Sequence, residues 1–154
     1  MTNEQVSQEL VKHVQLVEFY IRQLACEAMR RGKKHDESKW SEEEYTLFEK
    51  YTPKLKNCTY GSDEYKQYLK ELTPALDHHY QINRHHPEHH MGYHPGIAGM
   101  NLIDIMEMLC DWLAATERHG DGDIFKSIEL NQKRFHYSDD IKNVLERTAE
   151  YLIR

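Results

Sequence analysis

The sequence is poor in residues that staple or anchor a chain. Among 154 residues there are only three cysteines, Cys26, Cys58 and Cys110, and no CxxC pair. Such spacing gives neither a zinc knuckle nor a disulfide framework, and an odd, scattered set suits a reducing cytosol. No apolar run approaches the ~20 residues of a membrane span. The opening MTNEQVSQEL is polar and lacks the apolar stretch of a signal peptide. A cytoplasmic protein without a membrane partner is therefore expected. Positive charge is also short, with 20 Lys and Arg against 26 Asp and Glu and a net charge of −6. That balance argues against a long nucleic acid as partner. Strand-like alternation, internal repeats and low-complexity linkers are missing as well. At this length one domain can bury a core without staples.

What is present is helical periodicity. Val6, Leu10, Val14, Val17, Ile21 and Leu24 recur at three- and four-residue spacing, which predicts a helix over 4–30 with one buried face and a stop at Gly32. Ser41 with Glu44 reads as a capping box opening a helix to about residue 50, broken by Pro53 and followed by a loop to Gly61. Ser62 or Asp63 caps a third helix over about 63–84, with Tyr65, Leu69, Leu72, Leu76 and Ile82 facing inward. Pro87, Gly92, Pro95, Gly96 and Gly99 mark a loop over 87–99. Residues 100–118, MNLIDIMEMLCDWLAATER, form the most apolar helix, ended by Gly120 and Gly122. Helices over about 123–134 and from Ser138 to about residue 153 complete an all-α fold of five or six helices.

Histidine is the abundant residue: 11 in all, six of them between His78 and His90. Imidazole suits metal ligation and proton transfer near neutral pH, so placement matters. His13 lies three residues after Leu10 and four before Val17, on the face expected to be buried. A buried imidazole needs a polar partner or a metal, and taken alone His13 also reads as a core histidine bonded to a carbonyl. His35 and Asp36 are adjacent, and at a helix start both can reach one ion. Lys39 shares the side of Asp36 one turn on, where it suits an anionic phosphate. His79 continues the stripe of Leu72, Leu76 and Ile82, while His78 is turned toward solvent as a candidate proton donor. His85 and His86 lie just before Pro87, and His86 falls two turns after His79. His89 and Arg84 are placed with the substrate-binding residues. A solvated histidine-rich helix end is the plain alternative for this segment. On the apolar helix, Asp104, Glu107 and Asp111 share one side. Asp111 is the preferred last ligand, and Glu107 either orients a liganding histidine or acts as a base. Asp104 can equally be the exposed side of its helix.

In chain order these residues read His13, His35-Asp36, His79, His86, Asp111. That order resembles the HD-domain superfamily of metal-dependent phosphohydrolases. The segment His35, Asp36, Lys39 resembles the HDxxK segment of HD-GYP phosphodiesterases, in which the lysine contacts substrate phosphate. Nearly the whole chain also resembles a family of small bacterial and phage proteins catalogued as a domain of unknown function, on HDESKWSEEE, HHYQINRHHPEH and DIMEMLCDWLAA. The superfamily resemblance implies that His13, His35, Asp36 and Asp111 hold one metal. His79 with His85 or His86 would hold a second, with Asp36 bridging. The spacings are short for an HD domain and there is no GYP loop.

The expected activity is metal-assisted hydrolysis of a small phosphate ester, a nucleotide by superfamily analogy. One or two ions of Mn, Fe, Ni or Zn suit the nitrogen and oxygen ligands. Lys39, Glu107 and His78 are the candidate catalytic residues, and Lys39, Arg84 and His89 the substrate contacts. Two rival expectations are a di-iron HD-fold oxygenase and a non-catalytic, metal-stabilised nucleotide-binding or phage–host interaction protein. Tyr45, Phe48 and Tyr51 fit either a homodimer interface or the core.

Overall fold

A computed structural model describes residues 2–58, 62–118 and 122–153, and these are all-helical, with six α-helices and three short 3₁₀ turns. The helices are α1 (Asn3–Lys34), α2 (Glu42–Asn57), α3 (Asp63–Ile82), α4 (Leu102–Thr116), α5 (Ile124–Phe135) and α6 (Asp139–Leu152). The 3₁₀ turns are Glu37–Trp40, Pro87–His89 and Gly96–Gly99. Where the sequence suggested one domain, the chain divides into two units, residues 1–35 and 36–154.

The first unit is α1 alone. Thr2 and Gln5 cap it reciprocally, satisfying two of the amides that a helix start leaves open. Glu9–Lys12, Glu18–Arg22 and Glu27–Arg30 pairs run along its surface. The helix runs four residues beyond the expected 4–30, and Gly32 lies inside it. Taken by itself, this unit is a single helix. None of its residues is buried, and the stripe Val6, Leu10, Val14, Val17, Ile21 and Leu24 is exposed, as is His13. Periodicity identified the amphipathic helix, and His13 lies on its apolar side.

The second unit has two apolar clusters. Tyr51 of α2 packs with Leu72 and Ala75 of α3, flanked by Leu47, Phe48, Leu55, Tyr68 and Leu76. Met108 and Leu109 of α4 pack with Ile124 and Ile128 of α5, Leu145 and Ala149 of α6, and Ile97 and Tyr137. Trp112 packs half-buried against that second cluster. Tyr51 thus belongs to the core, Phe48 is half-buried, and Tyr45 remains exposed.

Two boundaries differ instructively. α2 continues through Pro53 to Asn57, because proline costs one backbone bond and a clash, which packing against α3 outweighs. α3 stops at Ile82 rather than residue 84. Asn83 is its C-cap, with the side-chain amide on the His79 carbonyl. Ile82 is exposed rather than inward. Asn101 and Asp104 form a reciprocal cap that starts α4. Gly122 follows α4 closely: a Cβ there would meet the Thr116 carbonyl oxygen at 1.9 Å. Gly120, the other expected stop, lies outside the described residues. Asp123 and Ser138 cap α5 and α6 with their side chains.

Candidate metal centre

The end of α3, the turn before α2 and the stretch that follows α3 bring imidazoles and carboxylates together. Asp36 opens the turn that leads to α2 with φ 57° and ψ 21°, a left-handed conformation that aspartate tolerates better than most residues. This backbone lets its carboxylate lie beside the α3 terminus. Asp36 Oδ1 is 3.2 Å from His79 Nε2 and 3.5 Å from His85 Nε2. His79 Nε2 is in turn 3.0 Å from His86 Nε2. Asp36, His79, His85 and His86 each offer one atom to a group whose members all lie within 4.8 Å of one another. A carboxylate oxygen of Asp111 also comes within 4.8 Å of one of Asp36. His79 and His85 are almost completely buried, and His86 and Asp36 half-buried.

The opposite edges of the rings are held by carboxylates. His79 Nδ1 lies 2.8 Å from Glu44 Oε2, and Glu44 is fully buried. His85 Nδ1 lies 3.3 Å from Glu107 Oε1. An imidazole that donates its Nδ1 proton to a carboxylate keeps a lone pair on Nε2. Both rings therefore present that lone pair to the side where Asp36 stands. Asn83 donates to the Ser38 hydroxyl at 2.7 Å, and that hydroxyl sits 3.1 Å from His79 Nδ1, closing the polar shell.

His86 is pushed down to about 3, first by burial, then by the neighbouring His85 and His79 rings, against an upward pull from Asp111 and Asp36. It is neutral at physiological pH, the form that ligates. Two unprotonated ring nitrogens 3.0 Å apart repel unless a proton or a cation lies between them. Bonds of about 2.1 Å set two ligand atoms at most about 4.2 Å apart. The separations of 3.0, 3.2 and 3.5 Å fit a single ion.

The other predicted residues fall around this cluster in distinct ways. Lys39 Nζ is 2.5 Å from Asp36 Oδ2 and 5.4 Å from the Phe48 ring centroid. Glu107 lies behind His85 rather than in front of it. His78, expected toward solvent, has its Nδ1 2.8 Å from Glu44 Oε1 and is one-third exposed. Arg84, expected as a phosphate contact, bonds the fully buried Asp104 through Nε and Nη2 at 3.2 and 3.0 Å. Asp104 is accordingly a buried cap and ion-pair partner, not an exposed helix side. His89 Nδ1 is 3.1 Å from the Tyr80 carbonyl, so it fastens the Pro87–His89 turn to α3. His35 is the C-cap of α1 and belongs to the first unit.

Sequence reasoning missed Glu44. Ser41 three residues earlier suggested a capping box, but Ser41 makes no side-chain cap bond and the Glu44 carboxylate turns inward. The signal was available: Glu44, Phe48, Tyr51 and Leu55 recur at four- and three-residue spacing, which puts Glu44 on the inner stripe of α2.

Fold and site together define a class: an all-helical protein carrying a histidine–carboxylate cluster of metal-ligand character. A model of the family of unknown function DUF5662 matches residues 2–152, and the chain belongs to that family. No curated protein and no solved structure matches it.

Proposed function

We propose that the chain is a metal-dependent phosphohydrolase that acts on a small phosphate ester, and that Asp36, His79, His85 and His86 hold its ion, with Asp111 beside them. The observation that carries this reading is the pairing of each buried ring with a carboxylate at its back. Glu44 behind His79 and Glu107 behind His85 leave both Nε2 atoms aimed at Asp36. Such outer carboxylates are the usual companions of ligating histidines, since they fix the tautomer and raise ligand basicity. A buried imidazole cluster with no cation to serve would cost stability.

A divalent ion held there supplies Lewis acidity and brings the pKa of a water from 15.7 toward about 7. The rest is the work of the chain. Lys39 stands at the rim with its ammonium on Asp36, where it can shift to a phosphate oxygen as a point charge. Glu44 holds His79, and Glu107 holds His85, against rotation. Manganese, iron, nickel and zinc all suit three imidazoles and a carboxylate.

The test is elemental analysis of the purified chain after exposure to Mn, Fe, Ni or Zn, followed by a phosphomonoesterase and phosphodiesterase panel with the loaded protein. Bound metal with release of phosphate or alcohol supports the reading. Bound metal with substrate affinity but no turnover points to a binding protein, and a chain that holds no metal overturns it.

A further inference from the structure

A groove on the outer face of α2 adjoins the candidate centre. It is an open groove of about 370 Å³, lined by Lys39, Trp40, Tyr45, Phe48 and Pro53 with Glu49 as its one carboxylate, at the lower end of the ~300–1,000 Å³ typical of ligand sites. Three observations say what fits it. Trp40 is 77% exposed, yet its ring stacks on Tyr45 with centroids 5.7 Å apart and planes 24° from parallel. A large, solvent-facing aromatic pair of this kind offers a flat apolar face. Phe48 reaches both ways: it lines the groove and sets its ring edge-on to His79, centroids 6.1 Å apart. Lys39 does likewise, lining the groove while its ammonium rests on Asp36. The groove is thus continuous with the cluster, apolar and aromatic at one end and cationic at the other.

We infer that this groove seats the flat aromatic ring of the ester's organic group on Trp40 and Tyr45, with the phosphate at Lys39. The inference rests on the function proposed above and narrows its substrate to phosphate esters bearing a planar aromatic group, the class to which nucleotides belong. Stacking recognises the ring by its face, so the site accepts several rings and rejects aliphatic esters. No bond is made or broken in the groove.

The test uses probes without a cleavable ester: 1-naphthylmethylphosphonate and ethylphosphonate, titrated into manganese-loaded and metal-free full-length protein. The aromatic probe is expected to bind about tenfold or more tightly than the aliphatic one, in the range that ring stacking supplies. W40A and Y45A should each remove most of that ratio, with the affinity for ethylphosphonate unchanged and manganese content intact. W40F should restore it. Because Trp40 is exposed, its replacement leaves the core alone. K39A should weaken both probes alike. Equal affinity of the two probes for the wild-type chain, or a ratio that survives W40A and Y45A, overturns the inference. Failure of the metal reading has a different signature: manganese would change neither affinity, while the ratio between the probes and its loss in W40A would remain.

Discussion

Replacing Glu44 by glutamine changes one charge and almost no volume, at a carboxylate that no ion would touch. Both oxygens of Glu44 are committed, Oε1 to His78 Nδ1 and Oε2 to His79 Nδ1, each at 2.8 Å, in a fully buried position. A carboxylate accepts from both rings, whereas an amide has one acceptor and one donor end. In E44Q one ring must therefore accept at Nδ1 and carry its proton on Nε2. Where that ring is His79, the nitrogen facing Asp36 and His86 becomes an N–H and cannot ligate. Loss of an outer-shell partner of this kind lowers metal affinity about 10- to 100-fold, or about 1.4 to 2.7 kcal/mol. The assay is zinc or manganese titration against a competing chelator, with E43Q, which alters an exposed neighbour on the same helix, as the control. Circular dichroism monitors the fold. Wild-type metal affinity in both E44Q and E44A, the second of which leaves His79 Nδ1 no carboxylate or amide acceptor at this position, would refute the reasoning, since it would mean that His79 needs no particular tautomer.

Two further outcomes follow from buried polar groups. The Tyr137 phenol donates to the Ile128 carbonyl at 2.6 Å, and burial, with a smaller push from Glu146, raises it to about 12. Its neutral form is favoured by the fold, so the stability it contributes is complete below pH 10 and lost as pH rises from 10 through 12. At about 1.4 kcal/mol per unit this is roughly 2–3 kcal/mol, and urea midpoints between pH 9 and 12 should fall more steeply for the wild type than for Y137F. Arg84→Ala removes both guanidinium bonds from buried Asp104. It should cost about 1–3 kcal/mol in thermal stability, yet leave phosphonate affinity unchanged; a selective loss of that affinity would assign Arg84 to the substrate site instead.

Helix content was legible because apolar spacing and caps are local properties. Ser62, Asn101, Asp123 and Ser138 cap helices with their own side chains, and the irregular stretch over 87–99 could be placed from its glycines and prolines, whereas the loop expected up to Gly61 lies partly outside the described residues. What depended on tertiary contact was harder. The stripe on α1 predicts an apolar face, and spacing alone does not say what covers it. Pro53 reads as a breaker in sequence but is carried inside α2 by packing on α3.

The candidate site divides in the same way. His79 sits on a helical stripe and its burial follows from spacing. His85 and His86 lie beyond the α3 cap, where helical periodicity no longer tells which ring turns inward, and both join the cluster. The left-handed Asp36 has no sequence signature. Glu44 was hidden by a competing local explanation, and the pairing of Arg84 with Asp104 joins residues 20 positions apart on different elements.

The most direct test of the central claim is metal stoichiometry by elemental analysis of the wild-type chain, D36N and H79A, each loaded with zinc or manganese and exchanged into metal-free buffer. The account predicts at least one retained ion per wild-type chain and strong depletion in both variants, with helicity unchanged. Equal metal content in all three folded proteins, or none in the wild type, would contradict it.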